Sequence, residues 1–240
     1  MAHTLFISDL HLAAERPATT GCLFAFLERT LPGADALCIL GDLFEYWIGD
    51  DDLDDPFNAE VAAALRRVTA AGLPVRLMQG NRDFVLGDAF RAATGVSAMP
   101  DPTTLPLYGT PTLLLHGDTL CTDDVAYQGW RAQSRDPAWQ QSQLAQPLAV
   151  RRALAGRIRA QSIATTANLP ANIVDASDDA IEAALRRHAC ARMIHGHTHR
   201  PARHVQTVDG RTCERWVLPA RDERGGYLRV DADGCTPLRC

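Results

Sequence analysis

Residues 4–12 read TLFISDLHL, a short apolar run that stops at an acid and an imidazole one residue apart. The run, Thr4 to Ser8, is too short for an ordinary helix and reads as a buried strand. Two further segments repeat the pattern. Ala36 to Leu40 (ALCIL) runs into Gly41 and Asp42, and Val75 to Gln79 (VRLMQ) runs into Gly80 and Asn81. Helical patterns separate them, from Gly21 to Leu31 and from Pro56 to Ala71. Strands alternating with helices predict parallel pairing through right-handed crossovers. Ligands gather beyond the carboxyl ends of such strands, so polar residues in these positions converge although they are far apart in sequence.

Downstream, Leu105 to Tyr108 and Thr112 to His116 flank Gly109, Thr110 and Pro111, which predicts a hairpin or tight turn. From Thr122 to about His188 the pattern turns helical. Strand-like runs then return at Arg192 to His195, His204 to Val208, Glu214 to Leu218 and Tyr227 to Val230. The expectation is a single α/β domain over 1–240: two packed sheets flanked by helices, with a helical insertion over about 122–188 forming a cap across one end.

Five polar clusters follow apolar strands: Asp9 with His11, Asp42, Asn81, His116, and His197 with His199. Each alone fits a blander reading. Asp-x-His can cap a turn, Gly-Asp and Gly-Asn are common turn pairs, and a strand-end His is usually a hydrogen-bonded core residue. HGHTH differs, since alternate residues of an extended segment point to one side. Seven candidate ligands in one crevice are too many for one cation and suit two. Carboxylate, imidazole and amide oxygen together suit borderline divalent ions such as Mn²⁺, Fe²⁺ or Zn²⁺, of which Mn²⁺ is the one expected.

Composition removes several classes. All 24 basic residues are Arg, which excludes a phosphate loop with its lysine and Schiff-base chemistry. A formal charge of −5 argues against nucleic acid as a partner. Seven cysteines without a CxxC pair indicate neither a disulfide framework nor a thiolate zinc cluster. No apolar run approaches the roughly 20 residues of a membrane span, and Met1 to Ile7 runs into a strand rather than a signal peptide, so a cytoplasmic location is expected.

The ordered set Asp9-x-His11, Gly41-Asp42, Gly80-Asn81, His116 and Gly196-His197-x-His199 resembles the signature of the calcineurin-like metallophosphoesterases. The resemblance implies a four-layer αββα sandwich. It implies one cation on Asp9, His11 and His199, a second on Asn81, His116 and His197, and Asp42 between them. Many members carry His after Gly-Asn; here it is Arg82, which stays charged and cannot act as an acid but binds phosphate well. That substitution points to a leaving group that is itself a phosphate. Asp42, Arg82 and His116 are the expected catalytic residues.

The longer strings FISDLHL, LGDLFEYWIGDDD, GNRDF, HGDTLCTDD and IHGHTHRPA resemble the branch of this family that acts on UDP-2,3-diacylglucosamine in lipid A biosynthesis. The resemblance covers nearly the whole chain. It implies cleavage to UMP and 2,3-diacylglucosamine 1-phosphate, with substrate contacts at Asn81, Arg82, Asp124, Ser162, Thr166 and His197. Leu169 replaces a usual lysine, and Pro219 to Arg221 depart from the branch's pattern. The alternative is a family member acting on soluble nucleotide pyrophosphates or phosphodiesters. Pro137 to Val174 contains no Asp or Glu, and Arg151, Arg152, Arg157 and Arg159 sit among Leu144, Leu148, Val150, Leu154 and Ile158. That composition suits acyl chains and anionic headgroups, so peripheral association with the cytoplasmic face of the inner membrane is expected, with no protein partner. The acidic run from Asp50 to Asp55 reads as a solvated loop. Asp118, Asp123 and His195 read as partners that orient ligand imidazoles.

Overall fold

The computed structural model describes residues 1–166, 169–170, 173–220 and 225–239, with only the backbone described at 163 and 166. Among these residues β1 (Thr4–Ile7), β2 (Ala36–Leu40), β3 (Val75–Met78) and β4 (Ser97–Ala98) pair in parallel, in that order. β10 (Gly226–Asp231) adds antiparallel to β1, and β11 (Gly234–Arg239) closes that edge. The second sheet has the order β5 (Thr103–Leu107), β6 (Thr110–Leu115), β7 (Arg192–His195), β9 (Arg211–Val217), β8 (Ala202–Val208). Its central pairs, β6 with β7 and β7 with β9, are parallel.

Alternation along the strands builds the layers. Phe6, Cys38, Leu40 and Met78 of the first sheet meet Leu114, Ile194, Trp216 and Leu218 of the second in one buried cluster. The intervening Leu5, Ile7, Leu37 and Ile39 point the other way. They pack with residues of α1 (Pro17–Ala25), α2 (Pro56–Ala70) and α3 (Asp88–Thr94). On the far side, Leu113, Leu115 and Met193 pack against Ile181 and Leu185 of α7 (Asp178–Arg187). The layers are therefore α, β, β, α, as the family resemblance implied.

Three local readings change. The hairpin turns at Tyr108 and Gly109, not at Gly109 to Pro111: both residues have positive φ, 48° and 87°, and Leu107 pairs with Thr110. Two consecutive left-handed residues give the turn whose twist matches a hairpin. The acidic run is not a solvated loop. Asp50 accepts from Trp47 Nε1, Gly87 N and Phe90 N, Asp52 from Asn58, and Asp55 caps α2. The helical stretch 122–188 also divides. α7 belongs to the outer layer of the second sheet, whereas α4 (Val125–Ser134), α5 (Pro137–Leu144) and α6 (Leu148–Thr166) lie outside its core cluster.

Candidate metal centre

All seven candidate ligands lie at or just beyond strand ends. Asp9 and His11 follow β1, Asp42 follows β2, Asn81 follows β3, His116 follows β6, and His197 and His199 follow β7. The loops are fastened to one another through the backbone. Asp9 N donates to Gly41 O at 3.1 Å, His11 N to Asp42 O at 3.0 Å and Gly196 N to His116 O at 2.8 Å. Five of the seven residues have left-handed φ: Asp9 52°, His11 48°, Asp42 52°, His197 66° and His199 54°. Glycine permits the close approach. A Cβ on Gly80 would run into the Asp42 carboxylate and backbone nitrogen, and one on Gly41 would meet His116 Nδ1 at 2.5 Å.

The side chains fall into two groups that share Asp42. In the first, His11 Nε2 faces His199 Nε2 at 3.1 Å, and His199 Nε2 lies 3.4 Å from Asp9 Oδ1. In the second, Asn81 Oδ1 lies 2.9 Å from both His116 Nε2 and His197 Nδ1. The two oxygens of Asp42 divide between them. Oδ2 is 3.7 Å from His11 Nε2, and Oδ1 is 3.7 Å from His116 Nε2. Asp9, Asp42 and His116 are buried, while His199 is half-exposed and marks the open side.

This donor set fits divalent cations. His116 Nδ1 donates to Leu40 O at 2.9 Å, which leaves Nε2, now hydrogen-bonded to Asn81 Oδ1, as the nitrogen that a cation would take in exchange for its proton. Asp9, His11 and His199 each place a donor atom within 4.8 Å of the others, and so do Asp9, Asp42 and His116. Burial pushes the His11 and His197 imidazoles down to about 3, so both rings are uncharged at neutral pH and each offers one lone pair. Burial also pulls on His116, but the Asp42, Asp118 and Asp9 carboxylates outweigh it and hold that ring at about 9. Asp42 is pushed up to about 7 by burial. Burial works the same way on Asp9, yet its hydrogen bond with His199 and the neighbouring imidazoles keep it well below the usual carboxylate range. A divalent cation would take the place of the proton that these carboxylates hold on His116 and offset the charge of Asp9 and Asp42.

Residues 2–201 match the family model described as calcineurin-like phosphoesterase. The chain belongs to that family. Within it, a relative from Xanthomonas campestris pv. campestris (strain B100), named UDP-2,3-diacylglucosamine hydrolase, is 52% identical over 238 residues, 96% of each chain. A relative of the same name from Stenotrophomonas maltophilia (strain R551-3) is 48% identical over 240 residues, covering 97% of this chain and 96% of its own. Among solved structures, an archaeal phosphodiesterase aligns over 99% of both chains with a TM-score of 0.47 and 10% identity.

In this calcineurin-like phosphoesterase the remaining candidates sit around the centre unevenly. Arg82 N donates to Asp42 Oδ1 at 2.9 Å, and its guanidinium reaches Ser162 Oγ of α6 at 3.3 Å. Asp124 caps α4 by accepting from Tyr127 N. The side chain of Thr166 and the whole of Arg221 lie outside the described residues. Most of the α6 arginines expected to face lipid are engaged within the chain. Arg151 donates to Ile48 O and pairs with Asp51, Arg152 pairs with Asp52, and Arg159 with Glu45. Arg157 is exposed.

Two supporting acids have different weight in the structure than in the sequence. Asp83 is fully buried and accepts from Leu43 N at 2.7 Å, Gly80 N at 2.7 Å and Asp42 N at 3.3 Å, tying the Asp42 loop to the Asn81 loop. Sequence reading passed over it, and its fixed place two residues after Asn81 was the one signal available. Asp118 is buried and accepts from Tyr127 Oη at 2.8 Å and Arg131 Nε at 2.9 Å. Burial raises it, but the His116 and His197 rings and Arg131 outweigh that and hold it low. His195 is buried between Arg215 Nη1 and Gly196 O; Asp123 is exposed.

Proposed function

We propose that this chain hydrolyses the pyrophosphate bond of UDP-2,3-diacylglucosamine, with water attacking the α-phosphate to release UMP and 2,3-diacylglucosamine 1-phosphate for lipid A biosynthesis. The observation that carries the reading is the 52% identity, over 96% of both chains, to the Xanthomonas relative named UDP-2,3-diacylglucosamine hydrolase. Asp9, His11 and His199 hold one divalent cation, Asn81, His116 and His197 a second, and Asp42 lies between them. Mn²⁺ suits this mixed nitrogen and oxygen set. When bound, the two cations supply Lewis acidity, making water more acidic and offsetting charge on the phosphoryl oxygens.

The chain's own groups do the rest. Arg82 carries a fixed positive charge at the mouth, and its planar fork matches a phosphate. The leaving group is a phosphate and needs no strong acid. Asp124, Ser162, Thr166, Asn81 and His197 complete the contacts to the nucleotide and sugar phosphate. Phe84 makes a half-buried aromatic cluster with Trp130 and Trp139, at 6.5 and 6.2 Å between ring centroids. It lies two residues from Arg82 and suits the acyl chains. The enzyme works at the cytoplasmic face of the inner membrane, held peripherally through the exposed Leu144 and Val150 and the exposed Arg157. Incubation with the substrate and Mn²⁺ in ¹⁸O-labelled water tests the reaction. UMP carrying the label is expected; label in the sugar phosphate, or no UMP, overturns it.

A further inference from the structure

A cavity of about 420 Å³ lies between β3, α3, β4 and α4. None of the seven candidate ligands lines it. Leu77, Leu86, Phe90 and Met99 give it an apolar wall. Its charged groups are not all matched. Arg91 pairs with Asp88 and Arg131 with Asp118. Arg135 instead spends its donors on neutral oxygens, Gly80 O at 2.9 Å and Gln79 O at 3.4 Å, with no acid paired to it among the described residues. Across from it Asp101 has a side chain only 10% exposed, and its Oδ2 has no hydrogen-bond partner; the nearest cation, Arg131 Nη2, is 3.9 Å away.

These two groups are each tethered elsewhere, Arg135 by Gly80 O and Asp101 Oδ1 by the backbone N–H of His116 at 3.4 Å. A guanidinium whose donors are spent on neutral oxygens, with Asp83 and Asp118 the acids within its electrostatic reach, and a buried acceptor without a donor thus line one apolar-walled space. Leaving a buried acceptor unmet costs about 1–3 kcal/mol, and the volume is within the range of small-molecule pockets.

We propose that this cavity binds the zwitterion of a free amino acid with an apolar side chain. The carboxylate lies on Arg135, the ammonium on Asp101 Oδ2, and the side chain against Leu86, Phe90 and Met99. The requirement for both charges on one carbon selects the free amino acid over a peptide or a simple fatty acid.

Calorimetric titration of the full chain with L-leucine or L-phenylalanine tests this without reference to hydrolysis. Either ligand is expected to bind at least tenfold more tightly than 4-methylpentanoate, which lacks the ammonium, and than leucinamide, which lacks the carboxylate. Ala98→Trp, at an exposed residue of the cavity lining, is expected to remove binding while leaving the melting temperature and the hydrolytic rate unchanged. Asp101→Asn is expected to erase the preference for leucine over 4-methylpentanoate. Absence of binding up to roughly ten millimolar, equal binding of all four compounds, or leucine binding untouched by Ala98→Trp would each overturn the proposal.

Discussion

Replacing Asp83 with Asn isolates the tie between the two central loops. The carboxylate is fully buried and accepts three backbone N–H groups: Oδ1 takes those of Asp42 and Gly80, and Oδ2 takes that of Leu43. An amide of the same shape can keep its oxygen toward Asp42 and Gly80, but its NH₂ then faces the Leu43 N–H, donor against donor. One buried backbone donor is left unsatisfied, at about 1–3 kcal/mol. For a chain of this size each kcal/mol moves the melting temperature by about 2–4 °C, so a loss of about 2–12 °C is expected. Asp83→Ala abandons all three donors and should cost about 3–9 kcal/mol, a large share of the 5–15 kcal/mol that folded domains possess. The assay is thermal unfolding with chelator present, alongside Mn²⁺ titration. Affinity for the ion should fall in the same order, since Asp42 and the residue before Asn81 are what Asp83 holds. If Asp83→Asn melts within about one degree of the parent and takes up Mn²⁺ unchanged, the carboxylate does not organise the centre and this reasoning fails.

Asp42→Ala should abolish hydrolysis while circular dichroism stays native, and the metal content of the purified protein should drop; full turnover would count against a shared carboxylate. Gly80→Ala forces a methyl into Asp42 and should cost about 1–3 kcal/mol of stability through overpacking, with metal affinity falling at least tenfold; an unchanged unfolding curve would show that the loops can separate without harm. Arg82→His removes a permanent charge, so kcat/KM for pyrophosphate cleavage should fall about 10–100-fold, as for a lost charge-assisted hydrogen bond. Direct Mn²⁺ binding to that variant should match the parent, and a parallel loss would place Arg82 with the ligand scaffold instead.

What could be read from sequence follows what each element depends on. β2 falls where its apolar run does, because a buried parallel strand is apolar on both faces. The seven candidate ligands were legible for a related reason: a polar residue directly after such a run sits at the strand's carboxyl end whatever the rest of the chain does. β4 and β11 were not. β4 is two exposed residues defined only by pairing with β3, and β11 is a largely exposed edge strand defined by β10. α3 is seven residues long, and its first turn is fastened from outside by Asp50, which takes Gly87 N and Phe90 N. No local pattern announces a partner some forty residues away. Asp83 was passed over on the same ground, since a charged residue in a turn is indistinguishable from a solvated one until its three donors arrive from two loops.

The left-handed backbone at Asp9, His11, Asp42, His197 and His199 needs its own account. Each such residue costs about 1–3 kcal/mol, and five together would threaten a marginal fold if each stood alone. They do not stand alone. Asp9 and His11 donate their backbone N–H groups to Gly41 and Asp42, His197 N donates to both Asp9 oxygens at 3.1 and 2.9 Å, and Ser8 Oγ donates to Asp9 Oδ2 at 2.5 Å. Asp9, His11, Asp42 and His197 are therefore fixed by another loop of the same crevice, and His199 by its side chain against Asp9 and His11, so relaxing one would break the bonds that hold its neighbour. A site built this way is rigid before any ion arrives. The acceptors of Asp9, Asp42, Asn81 and the four imidazoles already converge, so cation binding has little loop ordering to offset and can be spent on removing their mutual repulsion. The same interlock explains why Gly41 and Gly80 admit no side chain: the strain is tolerable only while the loops remain in contact.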